Sequence, residues 1–121
     1  MIEFQEVTKI YKGGKMAVED VNLSFEKGEF ICFIGTSGSG KTTCMRMINR
    51  MNEPTKGKIL IDNQDIQELN PVELRRKIGY VIQNIGLIPH MTIRENITLV
   101  QRLLKVSEVT RNETAEKMID L

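Results

Sequence analysis

The sequence is short of the groups that build metal centres and disulfides. Its 121 residues include one histidine, His90, and two cysteines, Cys32 and Cys44. The cysteines lack CxxC spacing and have no histidine nearby, which argues against a disulfide or a zinc site. Both are expected as buried free thiols. No apolar run approaches the roughly 20 residues that span a bilayer; the longest, Phe30 to Ile34, has the length of a strand. The chain opens Met1-Ile2-Glu3-Phe4-Gln5-Glu6, with acidic residues where a signal peptide needs a basic start, so a cytoplasmic protein is expected. Nor does one sign of charge prevail. Seventeen basic residues stand against sixteen acidic, a net +1, which gives no case for a nucleic-acid or anionic-membrane surface. The basic trio Arg75-Arg76-Lys77 reads as a solvated helix end. Repeats and low-complexity segments are absent as well.

What remains is ordinary globular composition, 40% hydrophobic and 27% charged, enough for one small domain or part of a larger one. Ile2, Phe4 and Val7 suggest a strand with imperfect alternation, and Lys12-Gly13-Gly14-Lys15 a turn. Val21, Leu23 and Phe25 alternate with polar residues, as a half-buried strand does. The continuous apolar run Phe30 to Ile34 fits a strand covered on both faces, as in a parallel sheet. Cys44, Ile48 and Met51 recur at helical spacing, which predicts a helix over Lys41 to Met51, ended by Pro54 and Gly57. Lys58 to Asp62 reads as a strand closed by Asp62-Asn63. Asn70-Pro71-Val72-Glu73 has the marks of a helix start, and Ile78 to Ile82 those of another apolar strand. Thr92-Ile93-Arg94-Glu95 repeats the capping pattern, with Ile93, Ile97, Val100 and Leu104 on one helix face. Ser107 caps a last helix that includes Ala115, Met118 and Ile119 and holds Leu121. Mixed elements of this kind mean an α/β fold.

Gly35 to Thr43 (GTSGSGKTT) meets the phosphate-loop pattern G-x-x-x-x-G-K-[ST] at Gly35, Gly40, Lys41 and Thr42. Glycines let the backbone wrap a phosphate in conformations that other residues avoid, and the loop amides with the following helix N-terminus then face the anion. Lys41 is expected on the β- and γ-phosphates and Thr42 on Mg2+, with Ser37, Gly38, Ser39 and Thr43 completing the cradle. Chance would produce the pattern in roughly one chain of this length in a few hundred, and here it lies between an apolar strand and a helix. Binding of ATP or a close relative follows. Ile59-Leu60-Ile61-Asp62 looks superficially like a second magnesium motif, but no Glu follows Asp62, and a turn at Asp62-Asn63 accounts for it with less. The methionines Met45, Met47 and Met51 are expected in the core.

Beyond the loop, the chain resembles the first half of an ABC-transporter ATPase subunit, a P-loop NTPase with an antiparallel β subdomain, a parallel core sheet and a helical subdomain. Val18 to Phe25 resembles the family's second strand and Gly28-Glu29 the turn that follows. The resemblance implies that Tyr11 stacks on adenine, against a simple strand-end aromatic. It implies that Gln83, which ends Ile78 to Gln83, senses Mg2+ and nucleotide, against an ordinary loop glutamine. Residues 1–90 would be the β/core region and residues 91–121 the start of the helical subdomain. Phe30 to Gly35, Met47 to Arg50, Pro71 to Lys77 and Ile85 to Ile97 are similar to osmoprotectant importers, which take up glycine betaine, carnitine, choline or proline betaine. Thr36 stands where many relatives have proline, without consequence for phosphate binding.

Further expectations come with the resemblance. Partners would be membrane-embedded permease subunits and a second copy of the ATPase, on the inner face of the plasma membrane. His90 would be a surface or packing residue near the permease contact rather than a base. The family's signature loop, catalytic glutamate, D-loop and switch histidine all come later than Leu121, so these 121 residues are expected to bind nucleotide without turnover, and to self-associate or swap elements. A small P-loop phosphotransferase and a non-catalytic nucleotide-sensing module are the other readings. The phosphotransferase would need an arginine-rich lid, which is lacking.

Overall fold

A computed structural model describes residues 1–83 and 86–121. Its contacts gather into two compact units, Met1–Ile78 and Gly79–Leu121. The first begins with strands β1 (Ile2–Ile10) and β2 (Met16–Phe25), followed by helix α1 (Lys41–Ile48). Strands β3 (Lys56–Ile61) and β4 (Gln64–Asp65) and helix α2 (Pro71–Arg76) complete it. The strands form one antiparallel sheet in the order β2-β1-β3-β4.

The imperfect alternation of β1 is a bulge. Phe4 pairs with Leu23, but the next partner on β1 is Val7, opposite Val21, so β1 carries one residue more than β2 there. Glu6 takes a φ of 50° at that point, and its N–H is met by Asn22 Oδ1 at 2.9 Å. A second irregularity follows at Asp20 (φ 43°), whose N–H donates to Thr8 Oγ1 at 3.0 Å. On the other side of β1 the bulge presses against Gly57. A Cβ there would lie 2.3 Å from the Glu6 carbonyl oxygen, and φ is +74°, so only glycine fits. β3 and β4 are joined by Asp62 and Asn63 at φ 49° and 65°, the two positive angles of a type I′ hairpin turn.

Phe4, Val7, Val18, Ile59 and Ile66 on the sheet side bury against Cys44 and Met47 of α1 and Leu74 of α2. Phe25 bridges Phe4 and Phe33 edge-on, at ring distances of 6.3 and 5.9 Å. The helix predicted to Met51 stops at Ile48. Arg50 adopts φ 54°, and the N–H groups of Arg50 and Met51 return to the carbonyls of Met47 and Arg46 at 3.1 and 2.9 Å. This is a Schellman cap with arginine in the left-handed position. The Arg50 side chain explains that choice. Its Nη1 donates to the carbonyls of Ile66 and Leu69 at 3.1 and 2.7 Å, and its Nη2 pairs with Glu53 at 2.6 Å. Arg75 donates to the carbonyls of Asn49 (3.0 Å) and Arg50 (2.6 Å), so it is a tether rather than a solvated helix end.

Four expectations are corrected. Residues 30–34 form no strand: Phe30 and Ile34 are 94% and 91% exposed. Residues 78–82 form none either, with Val81 93% exposed. A strand exists through the ladder of a neighbour, and none of the sheet's four strands pairs with either run. Cys32 is exposed; only Cys44 is buried, and burial pushes its thiol pKa up. Of the three helix methionines only Met47 is buried, whereas Met45 and Met51 are about half exposed.

α2 starts as its sequence dictates. Asn70 Oδ1 accepts from the N–H groups of Val72 and Glu73, with Pro71 in the first turn. The second unit holds helices α3 (Ile93–Leu103) and α4 (Glu108–Ile119). Thr92 and Glu95 form a reciprocal capping box on α3, and Ser107 accepts from Thr110 N–H at the start of α4. Asn96 ties down the preceding loop, accepting from Ile88 N–H at 2.7 Å and donating to the Thr92 carbonyl at 3.0 Å. The helices are linked by a Gln101 Nε2 to Thr114 Oγ1 hydrogen bond at 3.1 Å and an Arg94–Glu116 ion pair, and Thr98 and Ala115 are buried. The apolar stripe Ile93, Val100 and Leu104 stays exposed, Leu104 being the C-cap. Helix α4 ends at Ile119, with Asp120 as its C-cap, so Leu121 lies beyond the helix expected to hold it. No helix among the described residues is long and apolar enough to cross a membrane.

Candidate functional site

The phosphate loop leads into α1, and its glycines are required by geometry. Gly38 and Gly40 sit at φ 83° and 90°. A Cβ on Gly40 would come 2.6 Å from the carbonyl oxygen of Ala17, so this glycine also lets the helix start close against β2. Gly40 is the N-cap, and no side chain caps the helix. Among the described residues the other three helices all receive a side-chain cap, from Asn70, Thr92 and Ser107. The first amides of α1 are therefore left for another acceptor, and the helix dipole favours an anion.

Lys41 folds over the loop. Its Nζ donates to the carbonyls of Gly35 and Thr36, both at 2.7 Å, and to Ser39 Oγ at 3.1 Å. The ammonium is thus held against its own loop. Thr42 is exposed and Thr43 half-buried.

Opposite the loop, β1 ends at Ile10, and Tyr11 opens the hairpin to β2. The Tyr11 carbonyl accepts from Gly14 N–H at 3.1 Å, and its own N–H donates to the Lys15 carbonyl at 2.9 Å. A cleft of about 300 Å3 lies between this hairpin and the loop, with Tyr11 at one side and Gly38 to Thr43 at the other. The Tyr11 hydroxyl accepts from Asn52 Nδ2 at 2.9 Å and lies 3.4 Å from Thr43 Oγ1. Lys9 Nζ stands 5.3 Å from the ring centroid.

The structure therefore gathers Tyr11, Gly38, Ser39, Gly40, Lys41, Thr42 and Thr43 on one cleft, with Gly35 bound to Lys41 and Ser37 exposed on the loop. Gln83 is exposed and belongs to the second unit. Asn84 and Ile85 lie outside the described residues, so the segment from Ile85 to Ile97 is described from Gly86 onward; within it His90 is exposed. Asp62 is at a turn, its carboxylate 2.8 Å from the N-terminal amine, which holds its pKa below the usual range. Among the described residues no three His, Cys, Asp or Glu gather to hold a metal.

Sequence reasoning missed Lys12 and Lys15, which line the cleft. Their position either side of the paired glycines, just after the aromatic, was the available signal. It missed Asn52 too, and nothing local marks that residue.

The residues fit a nucleotide phosphate chain: left-handed glycines, an uncapped helix N-terminus and a positioned ammonium. Comparison with known proteins agrees. The family model described as ABC transporter matches residues 18–121. The carnitine transport ATP-binding protein of Listeria monocytogenes is 63% identical over the whole chain, which covers 30% of that relative. The choline transport ATP-binding protein of Bacillus subtilis is 61% identical, with 32% of its length covered. The chain thus spans about a third of the length of these relatives. Among solved structures, a dimeric ATP-binding cassette bound to ADP and Pi superposes with a TM-score of 0.83 at 38% identity. That match covers 97% of this chain and 55% of the cassette. With a phosphate loop of this geometry and a family match over most of its length, the chain belongs to the ABC transporter family.

Proposed function

We propose that this chain is the nucleotide-gripping part of the ATP-binding subunit of an ABC importer for osmoprotectants, quaternary amines of the glycine betaine, carnitine and choline type. The observation that carries it is the α1 N-terminus. Among the described residues it alone of the four helices lacks a side-chain cap, and it sits under a lysine already drawn over the loop. The transport relatives at 60–63% identity support the importer reading, and the carnitine, glycine betaine and choline in their names support the substrate class.

In this reading the amides of Gly38 to Thr43 and the Lys41 ammonium bind the phosphates, with Ser37 and Ser39 as additional donors. Thr42 would ligate Mg2+, joined by Gln83, and the ion would neutralise phosphate charge. Tyr11 stacks on the base. Residues 1–90 serve as the β/core region and residues 91–121 begin the helical subdomain. The whole subunit works at the cytoplasmic face of the membrane, in pairs, and drives the permease subunits through the region of Gln83. Hydrolysis requires groups beyond this set, so the 121-residue chain binds ATP without turnover.

The test is titration of the chain with ATP and Mg2+ by calorimetry. Lys41→Ala is expected to weaken binding about tenfold or more, the loss of charge-assisted hydrogen bonds. Equal affinity in the variant, or steady ATPase activity that Lys41→Ala abolishes, would overturn the reading.

A further inference from the structure

We propose that Asn52 is a positioning residue for the nucleotide base, acting by fixing the Tyr11 ring and joining it to the phosphate loop. The inference rests on the nucleotide-site reading above and adds a residue and a geometry to it.

Tyr11 leaves the end of β1 with its ring partly exposed, so its own strand does little to orient it. Its contacts with other segments do. Asn52 Nδ2 donates to the phenol oxygen at 2.9 Å. The same phenol oxygen lies 3.4 Å from Thr43 Oγ1, where either hydroxyl can donate. Behind the ring stands Lys9, itself held by donating to the Glu53 carbonyl at 2.6 Å. Tyr11 lines two hollows. Lys9 lines the one shared with Asn52 and Glu53, and the phosphate loop lines the other. The ring is thus a partition, with a cation engaged on one side and the phosphate cleft on the other. A planar base arriving with its phosphates on the loop meets the cleft side, where stacking is available.

Asn52 is itself immobilised. Its N–H donates to the Arg46 carbonyl at 3.0 Å, inside the cap that ends α1, and Arg50 fastens that cap to the carbonyls of Ile66 and Leu69. A circuit therefore runs from the C-terminus of α1 through Asn52 and the Tyr11 hydroxyl to Thr43 near its N-terminus. Tyrosine rather than phenylalanine is needed at position 11 to close it. The base platform and the phosphate loop are held in one register by a single phenol.

The experiment compares Mg-ATP with inorganic tripolyphosphate, which has the phosphates and no base, by calorimetry on the 121-residue chain. Asn52→Ala and Tyr11→Phe should each lower ATP affinity about three- to tenfold, the range for one hydrogen bond. Tripolyphosphate affinity should stay unchanged. The double variant should lose no more than Tyr11→Phe alone, because that substitution already removes the bond that Asn52→Ala removes. Equal losses for the two ligands, additive losses, or no loss overturn the proposal and leave the phosphate loop standing. Failure of the unsubstituted chain to bind either ligand overturns the nucleotide reading and this proposal together. Tyr11→Phe keeps the ring, so the proposal stays falsifiable if Asn52→Ala unfolds.

Discussion

Gly40 shows how a motif position becomes a steric necessity. The sequence pattern requires glycine there for phosphate approach, and the structure adds a second reason, the Ala17 carbonyl 2.6 Å from where a Cβ would stand. Alanine would have to hold a left-handed φ near +90° and push α1 off β2. We expect Gly40→Ala to lower unfolding free energy by about 2 kcal/mol or more, measured by urea denaturation; a loss within error would mean the loop and strand separate freely. Single residues of this loop were legible because a phosphate imposes its own geometry on any sequence that binds it. Cys32 and Asn52 were not. Whether a thiol is buried, or an amide meets a phenol 41 positions away, depends on packing that no local spacing encodes.

Elements were legible where their boundaries are written in side chains. Asn70, Thr92 and Ser107 cap their helices as read, because a cap is a contact between residues two or three apart. The end of α1 was misplaced because its stop signal is Arg50, which takes a left-handed angle usually given to glycine and is secured by carbonyls from another segment. The capping box of α3 gives a pH prediction. Glu95 accepts from the Thr92 main-chain N–H at 2.8 Å and from its hydroxyl at 2.9 Å, and these bonds lower its pKa. A carboxylate with a folded pKa below its unfolded one contributes stability that is complete above the unfolded value. That contribution is lost as pH falls through the folded value. Acidification below the usual glutamate range should therefore fray the first turn of α3, seen as faster amide exchange at Thr92 and Glu95. Glu95→Gln should flatten that dependence; an unchanged acid slope would refute the assignment.

At the scale of the molecule, the α/β class was readable from alternation and turns and the antiparallel β subdomain from the family resemblance, whereas the expected strands at 30–34 and 78–82 were not realised. Apolarity marks a segment as suited to burial, but a ladder partner makes it a strand. Phe30, Ile34 and Val81 are all more than nine-tenths exposed, and within the first unit an apolar hollow of about 640 Å3 is lined by Phe25, Phe33 and Ile48. Exposed apolar surface of this kind favours association. Sedimentation velocity on the 121-residue chain should show concentration-dependent assembly, reduced in Phe30→Ser and Ile34→Ser; a monomer throughout would exclude it. The Arg50 clamp has a different consequence, one for sequence drift. It grips the oxygens of Ile66, Gln67 and Leu69, atoms that every amino acid possesses. Exposed Gln67 and Glu68 are therefore free to vary across generations without loosening the segment. Arg50 has no such freedom, because lysine carries one nitrogen where the clamp uses two.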